Sequence, residues 1–163
     1  MRCLIIGCGC RGRLLAGALV GRGHAVRGTT RDRKRLAEIE AAGAEAVLGD
    51  PDRVATLMRS LDQVAVVCIL LGSATGPPGQ LRALHGPRLE MLLTKLVDTT
   101  MRGLVYEAQG TVDADLLAGG AQSVRGFAER SLVPTALIEA DPARVREWLR
   151  AALAAVDRAV GIG

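Results

Sequence analysis

The chain has 163 residues, 49% hydrophobic and 23% charged, which excludes a disordered polypeptide. That length suits one domain over residues 1–163 with a real core, and is too short for a cofactor domain plus a separate catalytic domain. The net charge of +4 is modest and the only aromatics are Tyr106, Phe127 and Trp148, so the basic and aromatic platform of a nucleic-acid binder is missing. No apolar run approaches a membrane span and residues 1–6 read at once as a strand rather than a signal peptide, so a cytoplasmic protein is expected.

Arg2–Ile6 is an apolar run that ends at glycine and predicts a first strand. Residues 11–22 have helical spacing in Leu14, Leu15, Ala18 and Leu19 and stop at Gly21 and Gly23. A short strand follows over residues 25–29. The next helix covers residues 32–42, with Asp32 as N-cap, Leu36 and Ile39 on one face, and Gly43 as the stop. Glu45–Leu48 is the third strand, and Asp50-Pro51 opens a helix reaching Leu61, proline suiting a first turn.

Residues 63–71, QVAVVCILL, form the strongest strand, and the Gly- and Pro-rich GSATGPPGQ then reads as a loop. Residues 87–97 are helical. A fifth strand at residues 102–108 precedes a helix over residues 113–130, interrupted at Gly119-Gly120. A sixth strand covers residues 133–140, and Asp141-Pro142 caps a closing helix to Ala159.

Six strands, each followed by a helix, imply right-handed crossovers and a parallel sheet. The expected architecture is a doubly wound three-layer αβα sandwich of Rossmann type, order 3-2-1-4-5-6. A flavodoxin-like order is the alternative, but it expects five strands and no glycine loop after the first. A core of Leu, Val, Ile and Ala is the usual filling of a parallel sheet covered on both faces.

Gly7, Gly9 and Gly12 satisfy G-x-G-x-x-G between the first strand and the first helix, the context that gives this motif value. Gly7 allows the tight turn, Gly9 leaves the backbone open to a pyrophosphate, and Gly12 lets helix and strand pack closely. Arg11 stands at the start of the helix with Cys10 just before it, and the helix's free N–H groups and positive dipole end attract an anion; Arg11 adds a charge there. Cys8 and Cys10 form a C-x-C pair that no second cysteine or histidine pair completes, so no metal site is expected. Both thiols read as small residues in a tight loop, with activation by the helix N-terminus as the alternative.

The end of the second strand decides the cofactor. An NAD site wants an acid about 20 residues beyond the loop, to bond the ribose hydroxyls. Here stand Thr29, Thr30 and Arg31, followed by Arg33, Lys34 and Arg35. A hydroxyl and a guanidinium suit a 2′-phosphate, which points to NADP(H).

GRGHAVRGTTRDRKRLAEIEAAGAEAVLGD resembles the first half of extended and atypical short-chain dehydrogenase/reductases, including the NmrA-like group. The resemblance implies that Thr30 and Arg31 hold the 2′-phosphate, that Asp50 and Pro51 lie against the adenine, and that Leu70, Leu71, Gly72 and Ser73 line the cofactor. RGLVYEAQGTV resembles the family's fifth strand, with Tyr106 as a structural aromatic. Two departures stand out. The loop is one residue shorter than the family's usual G-x-x-G-x-x-G, and the Ser and Tyr-x-x-x-Lys catalytic set is absent. Ala108 and Gln109 stand where serines are expected, and Lys34 and Lys95 follow no tyrosine by four residues.

Beyond the cofactor, the strand ends offer His85, Glu107, Gln109, Glu139 and Asp141. His85 reads as a solvent-exposed loop residue, with a proton donor as the alternative. Glu107 reads as a cap or ion-pair partner, with a substrate contact as the alternative. Three functions fit: a minimal NADP(H)-dependent reductase of a small-molecule substrate, a noncatalytic NADP(H) sensor, or a gating domain of the RCK/TrkA-N type. The helix at residues 87–97 carries Leu89, Met91, Leu92, Leu93, Leu96 and Val97, more apolar surface than one sheet face needs, and short-chain reductases commonly dimerise there; a homodimer is expected.

Overall fold

A computed structural model describes residues 1–162. Six strands form one sheet: β1 (Arg2–Ile6), β2 (Ala25–Thr30), β3 (Glu45–Leu48), β4 (Val66–Ile69), β5 (Gly103–Glu107) and β6 (Thr135–Ile138). All neighbours run parallel, in the order β3-β2-β1-β4-β5-β6. The expected Rossmann topology is therefore the one observed. The helices are α1 (Cys10–Gly21), α2 (Leu36–Ala41), α3 (Pro78–Leu84), α4 (Pro87–Leu96), α5 (Ala114–Ser131) and α6 (Val145–Ala159). None among the described residues is long and apolar enough to cross a membrane.

Alternation along the strands divides the core in two. Cys3 and Ile5 of β1, with Val66 and Cys68 of β4, pack on Leu15 and Leu19 of α1 and on Trp148 and Val156 of α6. Leu4 and Ile6, with Val67 and Ile69, face the other way onto Leu57, Leu93 and Phe127. Every one of these side chains is at most 2% exposed, which is why the central strands read as continuous apolar runs.

Several elements depart from the expectation for local reasons. Residues 54–61 are 3-10 rather than α-helical, and Pro51 lies before them in a turn. Asp50 builds that turn: its Oδ1 accepts from the Asp52 N–H at 2.9 Å and its carbonyl accepts from the Arg53 N–H at 2.8 Å. The segment after β4 is shorter than a nine-residue loop, because Pro78 starts α3 in a position where its missing N–H costs nothing. Asp141 accepts from the Ala143 N–H at 2.9 Å and so heads a turn, while α6 begins only at Val145. Asp32 does cap, accepting from the Lys34 N–H at 2.9 Å, but the first residues it caps (Arg33–Arg35) are 3-10.

Gly119-Gly120 does not interrupt α5, which runs unbroken. A Cβ on Gly120 would collide with the Tyr106 hydroxyl, so this glycine marks close helix-to-sheet packing rather than a break. In α4, Leu89, Leu92, Leu93 and Leu96 are buried in the molecule's own core, and of the apolar side chains counted there Met91, with Val97 just past the helix end, stays exposed.

Candidate cofactor site

The C-terminal ends of β1, β2, β4 and β5 open onto a cleft of about 590 Å³. Eleven sequence-predicted residues line it: Gly7, Gly9, Cys10, Arg11, Gly12, Thr30, Arg31, Pro51, Leu70, Leu71 and Ser73. The other two do not. Asp50 is consumed by its turn, and the Gly72 N–H points back to Glu107 Oε1 at 2.9 Å.

Each glycine of the loop does a different job. Gly7 adopts φ +83°, and a Cβ there would lie 2.6 Å from the Leu70 carbonyl oxygen. Only glycine takes this left-handed backbone freely and fits the space. Gly12 lies where a Cβ would meet the Gly7 carbonyl at 3.1 Å and Ile5 at 3.2 Å, so it sets the closeness of α1 to β1. Gly9, by contrast, has no protein atom within 4 Å of its would-be Cβ: its bare backbone faces open cleft at the start of α1. That is the place where an anion would meet the helix N–H groups.

Thr29 braces this loop, a role the sequence did not announce. Its Oγ1 accepts from the Gly7 N–H at 3.3 Å and its carbonyl from the Cys8 N–H at 2.9 Å. Cys8 turns inward onto Gly28, where a Cβ would come within 2.7 Å of its sulfur. Burial pushes the Cys8 thiol up to about 11 despite the nearby Arg13, so activation by the helix N-terminus does not apply to it. Cys10 is the exposed thiol, and Arg11 Nη1 donates to its sulfur at 3.6 Å. No cluster of metal-ligating side chains occurs among the described residues.

At the β2 end the Thr30 hydroxyl accepts from the Asp32 N–H at 3.1 Å, holding the turn from which Arg31 projects, exposed. Arg35 reaches the same rim: its Nη1 is 3.4 Å from Glu38 and its Nε 4.0 Å from Asp32. Asp52, which also lines the cleft, pairs with Arg88 at 3.5 Å. Arg11 is committed differently from the expected anion contact, since its Nε donates to the Pro142 carbonyl at 2.7 Å and ties α1 to the segment after β6.

The far end of the cleft is walled by Leu71, Leu81 and Leu84, with Ser73 and Gln80 among them. No Tyr, Lys or His lines it among the described residues. His85 lies just behind, at 3% exposure rather than in solvent. Glu107 is equally buried and lines the cleft floor; its Oε2 accepts from Trp148 Nε1–H at 2.8 Å. Burial raises its pKa, which those two N–H donors and Arg11 only partly offset. The sequence signal for such a residue is thin: an acid at the end of a strand that is otherwise fully apolar.

Residues 7–114 match the model of the NAD(P)H-binding family. No curated protein matches the chain in sequence. In fold it is similar to the UDP-glucose 4-epimerase of Thermotoga maritima solved with UDP-glucose (TM-score 0.70, 14% identity, 84% of this chain and 54% of that one). It is also similar to a short-chain dehydrogenase/reductase superfamily protein of Agrobacterium tumefaciens with bound NAD (0.69, 18%, 84% and 48%). A third is the triphenylmethane reductase of Citrobacter sp. complexed with NADP(H) (0.64, 14%, 83% and 48%). The chain thus spans about half the length of these structures, and identities this low speak for the fold alone. The family match over the segment that builds the glycine loop and most of the cleft wall places the protein: it belongs to the NAD(P)H-binding family.

Proposed function

We propose that this protein binds NADP(H) in the cleft and acts as a minimal reductase, passing hydride to a small molecule that supplies its own proton. The observation that carries the cofactor preference is the β2 terminus. There Thr30, exposed Arg31 and rim-lining Arg35 would face an adenosine 2′-phosphate; of the nearby acids, Asp32 is engaged as a cap and Glu38 pairs with Arg35. Forked guanidinium contacts favour that phosphate, and a strand-end carboxylate that would repel it is replaced by Thr30. In this reading Gly7, Gly9, Cys10, Arg11 and Gly12 surround the diphosphate, while Pro51, Leu70 and Leu71 flank the two ring ends. Asp50 and Gly72 act one step back, by shaping the turn and the β4 end. The acceptor is one needing no protein acid, since the cleft lining lacks the Tyr and Lys that drive ordinary carbonyl reduction.

A noncatalytic NADP(H) sensor is the second reading, favoured by the same lining. The chain is read as one domain, with Met91 of α4 and Val97 at its C-terminal end as the apolar residues left over for a homodimer. The deciding experiment is calorimetric titration of NADPH and NADH into wild type and Arg31→Ala. Wild type is expected to prefer NADPH, and the variant to lose about tenfold in NADPH affinity with NADH unchanged, since a charge-assisted hydrogen bond contributes about 1.5 kcal/mol. Equal affinity of wild type for both would sink the preference. Oxidation of bound NADPH by flavin or quinone acceptors separates reductase from sensor.

A further inference from the structure

Of the acids that line the cleft, Glu107 is the buried one, and hydride transfer to such an acceptor leaves it unused. Ile6, Ile69 and Tyr106 are in register across β1, β4 and β5, so Gly7, Leu70 and Glu107 follow as the next row. Glu107 is therefore two strand spacings, roughly 10 Å, from the start of the glycine loop. It points to the sheet face that carries α1 and α6, because its Oε2 accepts from Trp148 of α6. Both carboxyl oxygens accept only neutral N–H donors, from Gly72 and Trp148, and Glu107 forms no ion pair among the described residues.

The groups around it leave Arg11 of α1 as the cation whose field reaches it. That guanidinium is already shared with the Pro142 carbonyl and the Cys10 sulfur. The segment after β4 contributes the Gly72 N–H, and α6 the uncharged indole. On β5 itself Tyr106 faces the opposite side, its hydroxyl bonded to His85.

We propose that Glu107 is a proton-accepting residue of the cofactor site: seating a diphosphate on residues 7–12 draws one proton from solvent onto the Glu107 carboxylate. The diphosphate brings two negative charges to the α1 N-terminus and competes for the field of Arg11, the cation that favours ionised Glu107. The bound ligand also displaces water from the cleft, and repulsion between it and a buried carboxylate then acts at reduced dielectric. Burial already raises the Glu107 pKa, and repulsion from the diphosphate acts in the same direction. The balance is simple. The carboxylate gains a proton that solvent or buffer loses, and no bond of the nucleotide is made or broken. Both N–H donors keep their partners, because a protonated carboxyl oxygen retains a lone pair.

The proposal rests on a dinucleotide occupying the glycine loop, but not on a preference for NADP. Its test is therefore ADP-ribose, which carries the diphosphate without a 2′-phosphate. The full chain is titrated by calorimetry at fixed pH in buffers of different ionisation enthalpy. Wild type is expected to show buffer-dependent heat equivalent to uptake of up to about one proton. Its affinity should weaken by as much as about tenfold per pH unit as pH rises through the uptake window. Glu107→Gln is expected to bind with the same heat in every buffer. Because that variant sets an amide against one of two N–H donors and weakens the fold, wild type with carbon-13-labelled glutamate carboxyls gives a second readout. One carboxyl resonance should move toward its protonated position on adding ADP-ribose. Buffer-independent heat in wild type, or an unmoved carboxyl spectrum, overturns the proposal. Failure of ADP-ribose to bind at all sinks the dinucleotide reading, and this proposal with it.

Discussion

His85 Nδ1 lies 2.7 Å from the Tyr106 hydroxyl, and the Nε2 of the same ring lies 2.9 Å from the Leu71 carbonyl oxygen. A carbonyl only accepts, so Nε2 carries the proton and Nδ1 accepts from Tyr106. The pair thereby ties the core side of β5 to the end of β4, where Leu71 lines the cleft. Burial lowers the His85 pKa, with the Leu71 hydrogen bond opposing. A depressed folded pKa means a contribution fully present above the unfolded value, about 6.5, and lost as pH falls through the folded one. Melting temperature should therefore fall between pH 7.5 and 5, and His85→Gln should flatten that part of the profile. Glu107, raised instead of lowered, slopes the other way, so the comparison is variant against wild type. Parallel profiles for the two would refute the assignment.

Tyr106 and Gly120 form a second dependent pair. Gly120→Ala drives a methyl into the Tyr106 ring and hydroxyl and is expected to cost about 1–3 kcal/mol, as overpacking does. Tyr106→Phe alone leaves the buried His85 nitrogen without a donor, at a similar cost of about 1–3 kcal/mol. Combined, the two should cost less than their sum, because the phenylalanine gives up the atom that the new methyl strikes first. Chemical denaturation of the four chains measures this coupling, and strict additivity would show that the contact carries no strain.

What the sequence made readable follows from which signals are local. Strand order showed through the regular alternation of strands and helices, and the glycine loop through a few adjacent residues with one physical purpose. The glycine pair in α5 misled because packing demands and helix breaking use the same residue; only the position of Tyr106 across the sheet separates them. His85 misled for a similar reason. A lone histidine after a Gly- and Pro-rich segment resembles an exposed one until a residue 21 positions away supplies its partner. Arg11 was placed correctly at the helix start, but its Pro142 contact spans 131 residues and no local pattern encodes it.

The cysteines give a sharper contrast than their spacing suggests. Cys3, Cys8 and Cys68 are buried and Cys10 is exposed on the cleft. Burial pushes Cys3 and Cys8 up to about 11 and raises Cys68 as well, so these stay as unreactive thiols near neutral pH. A native chain treated with an aromatic disulfide reagent should release about one equivalent quickly, and the remainder only on unfolding. Mass mapping should place the fast label on Cys10, and NADPH should slow it. Rapid labelling at Cys8 would contradict the inward turn of that side chain.

Gly9 and Gly7 separate binding from folding. A methyl on Gly9 meets nothing within 4 Å, so Gly9→Ala should leave stability within about 0.5 kcal/mol of wild type. The same methyl points into open cleft at the α1 N-terminus, where a diphosphate must approach the backbone, so nucleotide affinity should fall about tenfold or more. Gly7→Ala meets both a positive φ and the Leu70 carbonyl, and should lose stability by about 1–3 kcal/mol before any ligand is added. Thermal unfolding with and without NADPH reads both effects in one experiment. Wild type should gain melting temperature with the nucleotide; Gly9→Ala should begin at the wild-type value and gain little, whereas Gly7→Ala should begin lower. A Gly9→Ala chain that is stabilised by NADPH as strongly as wild type would mean that the nucleotide does not cross the loop there.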